Sequence, residues 1–554
     1  MVGAFAALYL VVTVPLAARS PLTNDEFFTY YIARAHGLGG LWRALKTGAE
    51  QTPPLSHVLS RVCIEVFGNT RLAIRLPEVI AYLGASLCVY AFVQHRSSRL
   101  IGLVAMLIPS VTATYTYAFQ ARSYALVLAF AALALVCWQR TESGDRRRAL
   151  AGLAVALALA VASNYYAVLL LVPLGLGQAV RTFRARRLDL PVLLAFGGAL
   201  VPLVLFLPLI EASRKYSSHF YAKATWRDPT DFFAFLTKTS LLPANIFVDH
   251  DRALLALTLV AAAVVLLVTP RLPTRGSRLL LLGTAIGIVP LAGLFASDPL
   301  FGVTSLYLHE GAVAILVLGL AGYVVWRARS GRLAGPGAPP DELAAAVGLV
   351  LLPLVTVLLA KAATGAFQFR YALPAILGVA ILLALALYRL DGGRSATALV
   401  VLVVLAVGFV GYAMSEYRAA SRARAHQQEV FAFLEQRAGG GLPILLVHPH
   451  DYLELASIAP RPLAPRLIYL SDVKDSLRVT GTDTVERGLI ELAKLGPLHL
   501  RDYHQFVTRR PHCLALVTFH HGTWNWLFPQ LRADGFAIKL RASRGDMQLY
   551  AVGP

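Results

Sequence analysis

The chain has 554 residues, 57% of them hydrophobic and 15% charged, with 51 Lys and Arg against 31 Asp and Glu. That excludes an ordinary soluble enzyme, in which roughly a quarter of the residues are charged. The basic surplus does not point to nucleic acid, because much of the Arg lies in short loops between apolar runs, where it reports membrane topology. The four cysteines, Cys63, Cys88, Cys137 and Cys513, include no C-x-x-C pair and suggest neither a disulfide framework nor a metal site.

Taken in order, the apolar runs predict about thirteen transmembrane helices. They lie near 2–18, 72–94, 100–118, 122–139, 149–163, 165–180, 190–211, 252–269, 278–297, 306–326, 343–360, 371–389 and 396–414. The first lacks a charged n-region and a cleavage site and reads as a retained span. Arg clusters in alternate loops, at 96–99, 140–148, 181–187, 271–278, 327–332 and 389–394, put those loops in the cytoplasm by the positive-inside rule. The loop 20–71, the loop 211–251, the loop 361–370 and everything after Met414 then face outward. The expected architecture is an α-helical polytopic membrane module, 1–414, followed by a soluble extracytoplasmic α/β domain, 415–554.

The first outer loop has structure of its own. Asn24 is placed to cap a helix whose first turn carries Asp25 and Glu26, where anions meet free backbone N–H groups. Phe28, Tyr31, Ile32 and Ala35 recur at helical spacing, which predicts a helix lying in the interface with its aromatic face toward lipid. Pro53-Pro54 opens a second helix, Leu55–Phe67, ended by Gly68-Asn69. The second outer loop mixes Arg214, Lys215, Tyr216, His219, Tyr221, Lys223 and Trp226. That mixture suits a surface where headgroups or phosphates dock. In the tail, Arg418–Arg437 reads as an amphipathic helix. Pro443–His448, Leu467–Leu470, Cys513–Phe519, Ala537–Leu540 and Met547–Val552 read as strands, and Asn525–Ala533 as a helix. His448, His450, His520 and His521 lack a third ligand at convincing spacing for a metal.

Asp25 is the leading catalytic candidate. Transfer of a group to a hydroxyl or amine needs a base for the acceptor's proton, and a carboxylate at a membrane exit meets a lipid-linked donor at the right depth. The structural alternative is a first-turn acid that only stabilises its helix. Glu26 lies about 100° farther round the helix and cannot aim at the same atom, so it binds acceptor, orients a partner or touches a metal. Arg122, Arg370 and Arg75 stand at outer span ends, and Lys215 and His219 in the second outer loop. All five are candidates for a donor phosphate, and each also fits a snorkelling or structural cation. Tyr30, Gln51, Tyr124, Tyr166 and Tyr371 are candidates for the acceptor or the cavity wall.

Several of these residues stand in a recognisable set. Asp25-Glu26 is followed by Gln51-Thr-Pro-Pro-Leu55, Arg75-Leu-Pro77, Gln120-Ala-Arg-Ser-Tyr124, Asn164-Tyr-Tyr166 and Phe369-Arg-Tyr-Ala-Leu-Pro374. Over residues 1–415 the chain resembles the membrane glycosyltransferases of the GT-C class and protein mannosyltransferase type. That group includes the lipid A aminoarabinose transferases and the Rgt-like, family-39-like enzymes. The resemblance implies a polyprenyl-phosphate-linked sugar donor and transfer on the outer face of the cytoplasmic membrane. It implies inversion with Asp25 as general base, and a protein, glycolipid or polysaccharide acceptor. Arg122 and Arg370 then meet the donor phosphate or line the cavity. Gln120 replaces an acid, and Gln51 and Asn164 replace histidines, that are common in the group. Some members use a divalent cation, Mg or Mn, and others none, so the resemblance names no cofactor.

A transporter is the main rival reading, and a non-catalytic assembly protein or silent homologue the next. A transporter favours broken or charged helices near the bilayer midplane and inverted repeats. The unusual residues here cluster instead at the outer interface.

Overall fold

The computed structural model describes residues 1–142, 144–216, 219–238, 256–257, 259–264, 267, 338–391, 395–518 and 525–554. Among these, four helices are long and apolar enough to cross a membrane: Val2–Arg19, Arg71–Gln94, Tyr165–Ala185 and Ser395–Arg437. Three bent pairs raise the number to seven if each counts as one span: Arg99–Val111 with Ala113–Phe119, Leu190–Leu205 with Leu207–Tyr216, and Pro340–Val350 with Leu352–Thr364. The protein is a helical polytopic membrane protein with four to seven candidate spans among the described residues, fewer than the thirteen expected. Part of the difference is local. The apolar helices Tyr124–Arg140 and Ala375–Leu390 are shorter than a full span, and Arg146–Ser163 opens with three arginines. The expected spans 278–297 and 306–326, and most of 252–269, lie outside the described residues.

Local chemistry sets the helix starts. Thr70 Oγ1 accepts the Ala73 N–H and caps Arg71–Gln94, and Ser98 Oγ caps Arg99–Leu107 through Ile101 N–H. The Leu55–Phe67 helix has the predicted bounds, and Gly68 ends it at φ 82°, a conformation that favours glycine. Where Arg71–Gln94 ends, Arg96 bonds Glu342 at 2.7 Å, and Gln139 reaches the same carboxylate at 3.2 Å. Nearby, Arg181 pairs with Asp341 and lies 4.1 Å over the Trp138 ring. These pairs, whose carboxylates are buried, tie the helix ends together and satisfy acids that water does not reach.

The last span does not stop at Met414. Ser395–Arg437 is one helix of 43 residues, so the amphipathic segment 418–437 continues the span as a rigid stalk. Beyond it the tail is a six-stranded mixed sheet in the order β3-β2-β1-β4-β6-β5. The strands are β1 Ile444–Leu446, β2 Leu467–Ser471, β3 Leu500–Asp502, β4 Cys513–Val517, β5 Ala537–Arg544 and β6 Met547–Gly553. β3, β2, β1 and β4 run parallel, and β6 pairs antiparallel with both β4 and β5. β1, β2 and β4 are almost wholly buried, as expected of parallel strands covered on both faces. Five of the six strands match segments read from the sequence. Leu500–Asp502 was missed because its three residues carry no alternating pattern.

The Asn24–Ala33 helix is where the tail meets the membrane module. Its N-cap is Thr23 rather than Asn24, and Glu26 Oε2 accepts the Thr23 N–H at 2.8 Å. Of the predicted face, Tyr31 and Ile32 are buried and Phe28 and Ala35 half-buried, and Ile32 packs on Leu41, Leu45 and Leu209. Phe27 and Tyr31 belong to the tail's core with Leu453, Leu455 and Leu489, and Phe28 packs against it. A Cβ built on Gly496 of the tail would stand 2.2 Å from the Tyr31 ring. The aromatic residues therefore dock the α/β tail, and the helix stops at Ala33, before the predicted Ala35.

Candidate active site

Asp25 and Glu26 are adjacent, and helical geometry sends them in different directions. Glu26 is fully buried. Arg75 Nε donates to its Oε1 and Arg75 Nη2 to its Oε2, both at 2.7 Å. The Ala121 backbone N–H also reaches Oε1 at 2.7 Å. Arg75 spends its remaining donors on the carbonyls of Ala17, Ser20 and Pro21. It has no donor left for a phosphate, and the expectation that it binds one is corrected: Arg75 is a structural clamp. Glu26 is likewise corrected from a catalytic candidate to the clamp's anion. Together they join the first span, the Asn24–Ala33 helix, the Arg71–Gln94 span and the segment before Arg122.

Asp25 faces a cavity of about 190 Å³. Arg370 Nη1 donates to its Oδ2 at 2.5 Å, and its side chain is 37% exposed. Arg122 Nη1 donates to its backbone carbonyl at 3.0 Å. Burial works to raise the Asp25 pKa, but the charges of Arg370, Arg122 and His450 and the Arg370 hydrogen bond outweigh it and bring it to about 2. Arg122 is anchored on its other side by Glu50, whose Oε2 accepts from Nη1 at 2.7 Å. Burial raises the Glu50 pKa, and the charge and hydrogen bond of Arg122 more than reverse that, so Glu50 is held below the usual carboxylate range. His57 bonds Thr52 Oγ1 at 3.1 Å. Burial and the Arg122 charge outweigh the opposing pull of Glu50 and bring its pKa down to about 4, so it is neutral near pH 7.

A tight turn presents the Glu50 segment. Gly48 has φ +78°, and a Cβ there would stand 2.3 Å from the Ala212 carbonyl oxygen, so the turn requires glycine. Gln51, Tyr124, Tyr166 and Tyr371 line the cavity as expected, together with Asn164, Tyr165 and Tyr221. Tyr166 and Tyr371 stack at 4.2 Å with 9° between the rings. The Tyr166 hydroxyl bonds Thr364 Oγ1 at 2.6 Å and the Ala366 carbonyl at 3.0 Å. The Arg370 guanidinium lies 5.6 Å from the Tyr124 ring centroid.

Three further candidates lie elsewhere. Tyr30 is on the opposite side of its helix, where its hydroxyl accepts from Arg34 at 2.7 Å and Asn69 at 3.1 Å beside a different cavity. The Lys215 ammonium lies 5.3 Å from the Tyr216 ring centroid. His219 sits against the tail, where its carbonyl accepts from the Thr482 and Thr484 hydroxyls and its Nδ1 is 4.0 Å from Asp483. Its neighbours Phe220 and Tyr221, not His219, reach the cavity wall. His520 and His521 lie outside the described residues.

Sequence reasoning missed two cavity features. Glu50 was one residue from the Gln51 motif, and the absence of an acid at Gln120 was the available signal: a buried arginine needs an anion from somewhere. The other is the tail's share of the wall. His450, Leu453, Thr484, Val485 and Leu489 of the tail also line the cavity, and no local pattern marks them. Among the described residues, the group of metal-type donors within 4.8 Å of one another is Asp472, Asp475 and His504, in the tail and not at this cavity.

No curated protein sequence matches the chain. Among solved structures it is similar to ArnT from Cupriavidus metallidurans bound to undecaprenyl phosphate, with 15% identity, 99% of this chain and 97% of that one covered, and a TM-score of 0.44. The apo state of the same ArnT gives 15% identity, the same coverage and a TM-score of 0.43. Residues 51–210 match the family described as dolichyl-phosphate-mannose-protein mannosyltransferase. Over that segment, which holds the motifs at Gln51, Arg75, Arg122 and Asn164, the chain is similar to that glycosyltransferase family.

Proposed function

We propose that the chain transfers a sugar from a polyprenyl-phosphate-linked donor to an acceptor hydroxyl or amine at the outer face of the cytoplasmic membrane, with inversion. The observation that carries this reading is one carboxylate and two arginines on one cavity wall. Asp25, Arg122 and Arg370 converge there, and the Nε atoms of both arginines are buried without a hydrogen-bond partner among the described residues. Arginine N–H donors in that state suit a phosphate.

In the reaction, the acceptor oxygen or nitrogen attacks the anomeric carbon from the face opposite the phosphate. The bond between that carbon and the phosphate oxygen breaks, and the electron pair leaves with the polyprenyl phosphate. Asp25 takes the acceptor's proton. Arg122 and Arg370 stabilise the charge growing on the leaving phosphate, in a site where low water content strengthens each interaction. Glu50 holds Arg122 in place, and Tyr166 with Tyr371 forms a flat wall for the sugar or the first isoprene.

The test is a panel of polyprenyl-phosphate sugars with purified wild type and Asp25→Asn, scored for donor hydrolysis or transfer. Turnover by wild type alone supports the reading and identifies the sugar. Failure of both proteins to bind any donor overturns it in favour of the transporter or silent-homologue readings.

A further inference from the structure

We infer that Arg370 is a positioning residue that holds Asp25 out of use until a donor phosphate takes over its guanidinium, so that the enzyme binds donor before acceptor. This rests on the donor assigned above. The reason is a difference among three arginines. Arg75 uses all five N–H donors inside the protein. Arg122 is pinned by Glu50 and by the Asp25 carbonyl. Arg370 makes one short polar contact, with Asp25 Oδ2 at 2.5 Å, and a long one from Nη2 to the Tyr221 hydroxyl at 3.4 Å. Its buried Nε has no hydrogen-bond partner among the described residues. Of the two arginines on the cavity wall, it is the one whose main partner an incoming anion can replace.

The exchange is balanced in charge. In the resting site the guanidinium neutralises the Asp25 carboxylate. A carboxylate so paired is a poor proton acceptor, because the neighbouring cation favours its ionised form. A donor phosphate carries its own negative charge and offers oxygens that match the guanidinium fork. Once the phosphate takes those N–H groups, Asp25 keeps its place on the cavity wall but loses its counter-ion, and its affinity for a proton rises. The base is thus released in the complex that contains something to attack. Arg122 stays with Glu50 throughout and gives the phosphate a fixed second cation. His450 of the tail, Glu50 on Arg122, and the phenols of Tyr124, Tyr221 and Tyr371 also border this exchange.

A double-mutant cycle on binding, independent of turnover, tests the idea. The affinity of detergent-solubilised protein for undecaprenyl phosphate is measured for wild type, Asp25→Asn, Arg370→Gln and the double variant. Competition for one guanidinium predicts that Asp25→Asn tightens binding about three- to fivefold in the wild-type background, the upper scale of a partly exposed ion pair. The same change in the Arg370→Gln background leaves affinity within about twofold. An equal gain in both backgrounds means simple repulsion between carboxylate and phosphate and overturns the inference, as does no gain in either. If Arg370→Gln does not fold, Arg370→Lys replaces it. A lysine retains the cation without the fork, so the gain from Asp25→Asn shrinks but persists, and a gain unchanged from wild type overturns the inference. Wild type that binds without the predicted coupling removes this inference alone, whereas no binding by any variant removes the donor assignment with it.

Discussion

Arg75 and Glu26 face each other through two hydrogen bonds of 2.7 Å, with side chains 1% and 0% exposed. The pair fixes the turn that holds Asp25. A buried ion pair contributes little net stability compared with an apolar replacement, but breaking one half of it is costly. Arg75→Ala is therefore expected to destabilise the protein by roughly 3–5 kcal/mol and to leave Glu26 and three carbonyls unpaired. The double variant Glu26→Gln/Arg75→Met should recover part of that loss. Thermal unfolding in detergent checks both, and a double variant no more stable than Arg75→Ala counts against a charge-pair origin.

Asp25 has a different signature, because it supports chemistry more than structure. Asp25→Asn should lower transfer by about 10²–10⁴-fold, the usual span for a general base, with a loss of thermal stability that stays constant above about pH 5. Its pKa is lowered to about 2. A carboxyl with a depressed folded-state pKa contributes stability that is fully present above its unfolded value, about 3.9. That contribution is lost as pH falls through about 2. Between pH 5 and 8 the stability of wild type and Asp25→Asn should therefore run parallel. Stability measured against pH checks this, and curves that diverge in that window would show that Asp25 titrates there.

The contact between Gly496 and Tyr31 couples the tail to the site. Gly496→Ala should push Tyr31, and with it the Asn24–Ala33 helix, out of register with Arg370, because a Cβ at 2.2 Å from the ring has no room. The expected result is a loss of transfer of tenfold or more, on the order seen when a catalytic group moves by about 1 Å. Gly440→Ala, where nothing lies within 4 Å and φ is not positive, is the control and should be silent. Equal activity of the two variants would mean that the tail adjusts without disturbing Asp25.

Glu486 is a buried acid in a tail helix that lines the cavity. Tyr469 and Trp526 donate to its Oε1. Burial pushes its pKa up to about 8, against the opposing effect of those two hydrogen bonds. The sign runs opposite to that of Asp25. Below the unfolded value, near 4.5, both states are protonated and the group is neutral to stability. From there to about pH 8 the folded state keeps a proton that the unfolded state has lost, so stability falls as pH rises. Glu486→Gln should flatten that slope and gain most at pH 8. Unfolding temperatures at pH 5 and pH 8 test it, and an equal effect at both would show that the carboxyl is not held neutral.

Much of the site was legible before any coordinates. Asp25, Arg122 and Arg370 stand out because each is a charge at an outer span end inside a short recognisable motif. Val2–Arg19, Leu55–Phe67 and Arg71–Gln94 follow from run length, capping residues and Gly68. These are local properties, and local sequence encodes them. Arg75 also stood out, with a phosphate ligand and a structural cation both open to it, and its contacts are those of the structural cation. A buried cation looks alike in sequence whether its partner is a ligand or a carboxylate of the same chain.

What the sequence by itself determined was which residues are unusual and which faces are buried. Only the tertiary structure decided what meets them. Arg370 finds Asp25 across 345 positions and Arg122 finds Glu50 across 72. No periodicity carries that information, because pairing depends on how the helices pack. The face of Phe27 and Tyr31 is apolar whether lipid or protein covers it, and hydrophobic spacing records burial without naming the partner. The tail covers that face, and so the α/β tail helps line a cavity that holds Asp25, Arg122 and Arg370 of the helical module.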